Sequence, residues 1–237
     1  MMDRKKFIRN GILGIASLAT ASKLLESCSK SDNDDSGTSA SGDESCAVSP
    51  AETKGPFPIK TPSQLVLENI KSDRVGVALL INLVIQNTNN NCSPLADVLV
   101  DVWHCDKDGN YSEYGGTSMQ QTDYTSVHFL RGRQTTNSKG EVSFISIFPG
   151  WYQGRAPHIH VEVLSSSGSS LLVTQIAFPE TVTSTVYSST NYAAHGQADT
   201  SNTKDNVFSD SLADELATLT GNLTDGYTLS KTINVKG

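Results

Sequence analysis

Apolar and polar residues alternate along several short stretches of this chain. The alternation is cleanest at residues 158–164: Ile159, Val161 and Val163 fall on one side, while His158, His160 and Glu162 fall on the other, the period-two pattern of a β-strand. Residues 75–86 form another strand-like run, rich in Val, Leu and Ile. Residues 96–105 alternate and end in Trp103-His104-Cys105, residues 140–148 carry Val142, Phe144, Ile145 and Ile147, and 171–178 and 227–235 complete the set. Turn-forming clusters, Asp106-Lys107-Asp108-Gly109-Asn110 and Asn137-Ser138-Lys139-Gly140, punctuate these runs. One short helix is expected over 210–219, with Ser209 or Asp210 as its N-cap. Several short strands joined by turns predict an all-β domain: a β-sandwich with irregular loops and one short C-terminal helix.

The N-terminus departs from this pattern. Arg4, Lys5, Lys6 and Arg9 form a basic stretch, and residues 11–21 form an apolar run too short to span a bilayer. Leu24-Leu25-Glu26-Ser27-Cys28 follows and resembles a bacterial lipoprotein signal, in which cleavage leaves Cys28 as the lipidated first residue. A plain secretory signal is the alternative. Residues 29–45 are Ser-, Asp- and Gly-rich with almost nothing apolar, a composition that cannot bury a core and suits a tether. Its Asp32-Asn33-Asp34-Asp35 run is similar to a surface-export tag and fits a solvated linker equally well. The expected organisation is a signal over 1–27, a tether over 28–45 and one folded domain over 46–237. The protein is therefore expected to be exported and membrane-bound through Cys28, on the periplasmic or the outer face.

Composition narrows the function. A net charge of −7, with no Lys/Arg-rich patch beyond the N-terminus, disfavours nucleic acid as a partner. Cys46, Cys92 and Cys105 remain in the domain; export favours a disulfide, and an odd number leaves one thiol over without fixing which.

The candidate chemistry starts at His158-Ile159-His160. Residues i and i+2 of a strand project the same way, so both imidazoles can meet one metal ion. By itself such a pair fits an ordinary buried or surface pair as readily. Tyr152 lies six residues earlier, after the Pro149-Gly150 turn, and Tyr111 follows another Gly turn. A phenol titrates near 10 and becomes a ligand at neutral pH only beside a strong Lewis acid. Ferric iron, hard and highly charged, suits anionic oxygen together with imidazole. Zinc more usually takes Cys, His or carboxylate, and a zinc or copper site on the His pair alone leaves both Tyr unexplained.

The stretches Val100-Asp101-Val102-Trp103-His104-Cys105, Gly109-Asn110-Tyr111-Ser112, Phe129-Leu130-Arg131-Gly132, Gly150-Trp151-Tyr152-Gln153-Gly154-Arg155, Pro157-His158-Ile159-His160 and Thr174-Gln175-Ile176-Ala177-Phe178 stand in the order seen in the intradiol ring-cleavage dioxygenases, which this chain resembles. The resemblance implies Fe(III) held by Tyr111, Tyr152, His158 and His160, with substrate displacing Tyr152. It implies that Arg155 and Gln175 flank the bound catecholate, and that a catechol-type substrate is opened with O2 to a cis,cis-muconate-type diacid without an organic cofactor. The chain departs from the cytoplasmic members in three ways: only five residues separate Tyr152 from His158, the helical N-terminal dimerisation region is missing, and Lys54 and Phe57-Pro58 surround Gly55-Pro56 where an acidic residue and a Tyr pair are frequent. The alternative is a catalytically inactive surface lipoprotein of the same fold that binds phenolics, glycans or a protein. His104 and Trp103 are expected to be structural, and His128 and His195 to lie at the surface or a pocket rim. Asp199, Asn202, Asp205 and Phe208 are expected to pack the C-terminal loop.

Overall fold

The structure, a computed structural model, describes Cys46–Gly237. The basic stretch, the apolar run, Cys28 and the acidic tether lie outside the described residues. In chain order the strands are β1 (Ala78–Asn87), β2 (Ser93–Pro94), β3 (Leu99–Trp103), β4 (Arg131–Thr135), β5 (Glu141–Ile147), β6 (His158–Leu164), β7 (Ser170–Ala177), β8 (Thr218–Asn222) and β9 (Gly226–Val235). The helices are α1 (Glu180–Tyr187) and α2 (Leu212–Glu215). In one sheet β1 runs parallel to β9 and antiparallel to β5, β2 pairs with the far end of β1, and β8 lies outside β9. The other sheet, β4-β3-β6-β7, is antiparallel throughout.

The expected sandwich is present, and the alternation explains it. Leu79, Ile81, Leu83 and Ile85 of β1 belong to the same core as Val100 and Val102 of β3 and Ile159, Val161 and Val163 of β6. Burial of each such side chain is worth about 1.5–3 kcal/mol. The opposite face of β6 is buried as well: His158, His160 and Glu162 are each less than a tenth exposed. That double burial makes room for a site on the outside of the second sheet.

Several elements differ from expectation, the short strands β2 and β8 among them. β4 has no apolar alternation, because Arg131 and Arg133 sit on the site face and Gly132 packs so tightly on Ile70 that a Cβ would lie 2.4 Å from Ile70 Cγ2. The helix expected over 210–219 shrinks to the single turn α2, preceded by Ser211 and not by Ser209 or Asp210. The amide of Ala217 donates to the carbonyl of Ala177, and β8 takes over from Thr218, so pairing with existing strands displaces the helix. α1 carries Thr and Val at most positions, a composition poor in helix propensity, and its buried Thr183, Val186 and Tyr187 hold it against the core.

Cys46 and Cys92 form a disulfide, and Cys105 is the free, buried thiol among the described residues. The bridge joins residues 46 apart in sequence, for which constraint of the unfolded chain is worth about 4 kcal/mol. Replacing Cys46 and Cys92 together by Ser is expected to lower stability by up to that amount. Denaturant midpoints of the two proteins would check this, and coincident midpoints would show the bridge to be inconsequential.

Candidate active site

The site is a row across the outer face of the second sheet. Strand register aligns Arg131 with Trp103, Trp103 with His160, and His160 with Gln175. The His160 imidazole lies flat on the Trp103 indole, 4.9 Å between centroids and 2° between planes. Gly55 closes against the same imidazole. Its φ is +66°, and a Cβ there would approach His160 Cε1 to 2.9 Å, so glycine is required on both counts. His158 stands two residues earlier on the same face. Its Nδ1–H donates to the Ala156 carbonyl at 2.6 Å, which leaves the Nε2 lone pair pointing inward, 3.2 Å from His160 Nε2. Burial first, and the neighbouring Arg155 charge second, push the His158 imidazolium pKa down to about 3; burial and His158 push His160 well down as well. Both rings are therefore neutral, the state a metal ion needs.

The phenols arrive from loops. The turn before Tyr111 is held by Asp106, whose Oδ1 accepts from the amides of Asp108 and Asn110 at 3.0 and 2.9 Å. Gln120 then grips the Tyr111 backbone on both sides, accepting its N–H at 2.7 Å and donating to its carbonyl at 2.8 Å. The Tyr111 ring stacks on Phe57 at 4.7 Å, and its Oη lies 3.4 Å from His158 Nε2. Tyr152 presents its ring edge-on to Tyr111 and His158, at 5.9 and 5.5 Å. Its Oη accepts from Arg155 Nη1 at 3.3 Å. Burial pushes the Tyr111 phenol well above its ordinary range; burial also raises Tyr152, with Arg155 opposing. Neither phenol ionises near neutrality without an added cation.

Arg155 and Gln175, expected together, are together: Arg155 Nη2 donates to Gln175 Oε1 at 2.7 Å, and Gln175 Nε2 donates to the Thr53 carbonyl at 2.9 Å. Residues 53–60 cross the site as a strap pinned along its length. Lys54 pairs with Glu162 at 2.6 Å. Arg131, fully buried, donates to the Phe57 carbonyl at 2.8 Å and to Ser112 O and Oγ at 2.6 and 2.9 Å. Lys60 reaches Glu113 through both its amide and its Nζ.

The C-terminal loop does more than pack. Asn202 does pack, donating Nδ2 to the Phe178 carbonyl. Asp199 accepts from the Gly154 amide at 3.2 Å, and His195 Nε2 lies 2.8 Å from the Trp151 carbonyl, so both brace the loop that carries Tyr152. Tyr187 donates to the Pro149 carbonyl at the loop's start. Asp205 is the residue that sequence reasoning missed: its Oδ2 accepts from Arg155 Nε at 2.9 Å and from the Ala156 amide at 2.6 Å. Burial works against its ionisation, but Arg155 and the Ala156 and Val207 amides outweigh that and hold the carboxyl below its usual range. Its one sequence signal is the Asx turn to Val207, which marks a turn and not a site. Phe208 rests against His158, 6.4 Å between centroids. His104 is internal, bridging the Cys105 carbonyl and Ser146 Oγ, and His128 sits half-exposed 2.8 Å from Glu113 Oε1.

Among the described residues, no group of three or more His, Cys, Asp or Glu side chains is placed to hold a metal ion. The further donors that the structure places beside the His pair are the phenols of Tyr111 and Tyr152. Two neutral imidazoles and two phenol oxygens are a donor set that fits hard, highly charged Fe(III), whose charge the phenolates would largely offset.

Residues 56–209 match the sequence profile of the family described as Dioxygenase, and the chain belongs to that family, the intradiol ring-cleavage dioxygenases. Enzymes of the family generally use Fe(III) to cleave catechols. Chlorocatechol 1,2-dioxygenase of Rhodococcus opacus is 26% identical over 149 residues, 53% of this chain and 54% of the relative, so the chain spans about half the length of that curated relative. An intradiol ring-cleavage dioxygenase from Tetranychus urticae superposes with a TM-score of 0.72 at 28% identity, covering 80% of this chain and 95% of that one. The dioxygenase domain of a dioxygenase–carbohydrate-binding protein fusion from Streptomyces sp. SirexAA-E gives a TM-score of 0.55 at 25% identity, over 79% of this chain and 97% of that one.

Proposed function

We propose that this chain is an Fe(III)-dependent intradiol dioxygenase that opens catechol-type rings with O2 to cis,cis-muconate-type diacids. The observation that carries the reading is the meeting of four donors: Tyr111 Oη 3.4 Å from His158 Nε2, His158 Nε2 3.2 Å from His160 Nε2, and Tyr152 edge-on to Tyr111 and His158. Tyr111, Tyr152, His158 and His160 would hold the iron. When bound, Fe(III) supplies a Lewis acid that lowers the pKa values of the substrate hydroxyls.

The chain's own residues do the rest. Ala156 fixes the His158 tautomer, and Trp103 and Gly55 fix the His160 plane. Tyr152, the more exposed of the two phenols, exchanges a proton with a substrate hydroxyl at its Oη. Arg155 presents a fixed positive charge beside that oxygen, so anionic species formed there meet a preorganised cation. Gln175 keeps the guanidinium in place, and Phe57 shields the Tyr111 ring from water. The motif ending at Cys28 supports lipid anchoring at the cell envelope. Among the described residues no helix is long and apolar enough to cross a membrane.

The deciding experiment is a visible spectrum of the iron-loaded domain before and after anaerobic addition of catechol. A tyrosinate-to-iron charge-transfer band that shifts on addition, followed by oxygen uptake in air, is the expected result. A protein that stays colourless after iron loading would overturn the reading in favour of a binding lipoprotein that keeps the fold without turnover.

A further inference from the structure

Asp205 is fully buried, and each of its oxygens is committed. Oδ1 accepts the Val207 amide at 2.8 Å, a local turn contact. Oδ2 faces the site and accepts two donors, Arg155 Nε at 2.9 Å and the Ala156 amide at 2.6 Å. The Arg155 guanidinium is then held on every edge. Nε is on Asp205, Nη2 is on Gln175 at 2.7 Å, and Nη1 is left facing Tyr152 Oη at 3.3 Å. Ala156 is held just as tightly. Its amide is on Asp205 and its carbonyl takes the His158 Nδ1 proton at 2.6 Å.

We propose that Asp205 is a positioning residue of this centre: one carboxylate oxygen aims the Arg155 guanidinium at Tyr152 and, through the Ala156 residue it clamps, sets the imidazole of His158. This rests on the ring-cleavage reading for its catalytic consequence, but not for its geometry. A planar guanidinium transmits orientation rigidly, because fixing two of its edges fixes the direction of the third. The Asp205 charge also compensates the buried cation, which would otherwise stand unpaired near neutral His158 and His160. Asparagine cannot substitute. Its single oxygen can serve Val207 or the Arg155–Ala156 side, and its NH2 then confronts the remaining N–H donors.

The test compares Asp205→Asn, Arg155→Met and the double variant, all iron-loaded, with catechol as substrate. Misplacement of a catalytic group by about 1 Å costs about 100-fold. A kcat loss of about that size is expected in Asp205→Asn, with a much smaller change in KM. The double variant should lose clearly less than the product of the two single losses, because one of the two Asp205 routes runs through Arg155 and the other through Ala156 to His158. Losses that multiply in the double variant, or an unchanged kcat in Asp205→Asn, would overturn the proposal.

A second readout needs no iron. In proton–nitrogen NMR of the metal-free protein, Arg155 Nε–H and His158 Nδ1–H should exchange slowly, and both should lose protection in Asp205→Asn while the β6 amides keep theirs. Protection retained at both positions in the variant would overturn the proposal. If the variant does not fold, the unsubstituted protein decides alone: an Arg155 Nε–H that exchanges as fast as a solvated one would overturn it. A wild-type protein with these protected protons but no ring cleavage would instead count against the proposed activity and leave the positioning geometry standing.

Discussion

Tyr111→Phe is expected to give a folded protein that no longer holds Fe(III) at the proposed four-donor site. The ring's packing partners, Phe57 at 4.7 Å and the Arg131 guanidinium at 5.7 Å, contact the ring and not the hydroxyl, so they remain. What disappears is Oη, the donor 3.4 Å from His158 Nε2. Loss of an outer-shell partner already costs about 10–100-fold in metal affinity; loss of a direct ligand should cost more, with ring cleavage falling below detection. Proton release offers an independent check. Burial holds this phenol protonated without metal, so ligation at neutral pH must expel the proton, and the variant should release one fewer proton per iron than wild type. Tyr152→Phe is expected to be milder, weakening iron binding and removing part of the visible colour. Titration with Fe(III), followed by absorbance and pH, would separate the two. Full colour and unchanged affinity in Tyr111→Phe would sink the ligand assignment.

The largest effect on stability is expected at Phe148. Its ring is fully buried, 4.7 Å from Phe178, 5.9 Å from Tyr227 and 6.3 Å from Tyr187, where the two sheets and α1 meet. Phe148→Ala removes that packing and leaves a cavity, at a cost of about 3–5 kcal/mol. In a domain of this size the thermal midpoint should fall by roughly 10–15 °C. Phe148 also opens the segment that carries Tyr152, and its carbonyl accepts from Tyr192 Oη at 2.7 Å. Slack at this point should therefore reach the site, and kcat should fall at temperatures where the variant is still folded. Melting the metal-free protein isolates the packing effect. A midpoint within about 2 °C of wild type would show that the core is not centred here.

Legibility in the sequence followed the range of the forces involved. Strands β1, β3, β5, β6, β7 and β9 could be read to within a few residues, because alternation in each reflects one face turned to a shared core. β4 could not, since its outward positions hold charged residues of the site and its inward glycine fills a space that a larger side chain would overrun. α1 and the shortened α2 were hidden for a related reason: packing and strand pairing overrode weak local preferences.

By itself the sequence determined the sandwich class, the pairing of His158 with His160 on one strand face, and the candidate set Tyr111, Tyr152, Arg155 and Gln175. Short-range periodicity and local motif order encode all of these. Only the tertiary structure decided the Cys46–Cys92 bridge, the burial of the outer face of β6 under the 53–60 strap, the Trp103–His160 stack across strands, and the clamp of Asp205 on Arg155. Each of these joins residues distant in sequence or on separate strands. Their side chains show no periodicity, and their partners are chosen by strand register and by the need to satisfy buried polar groups.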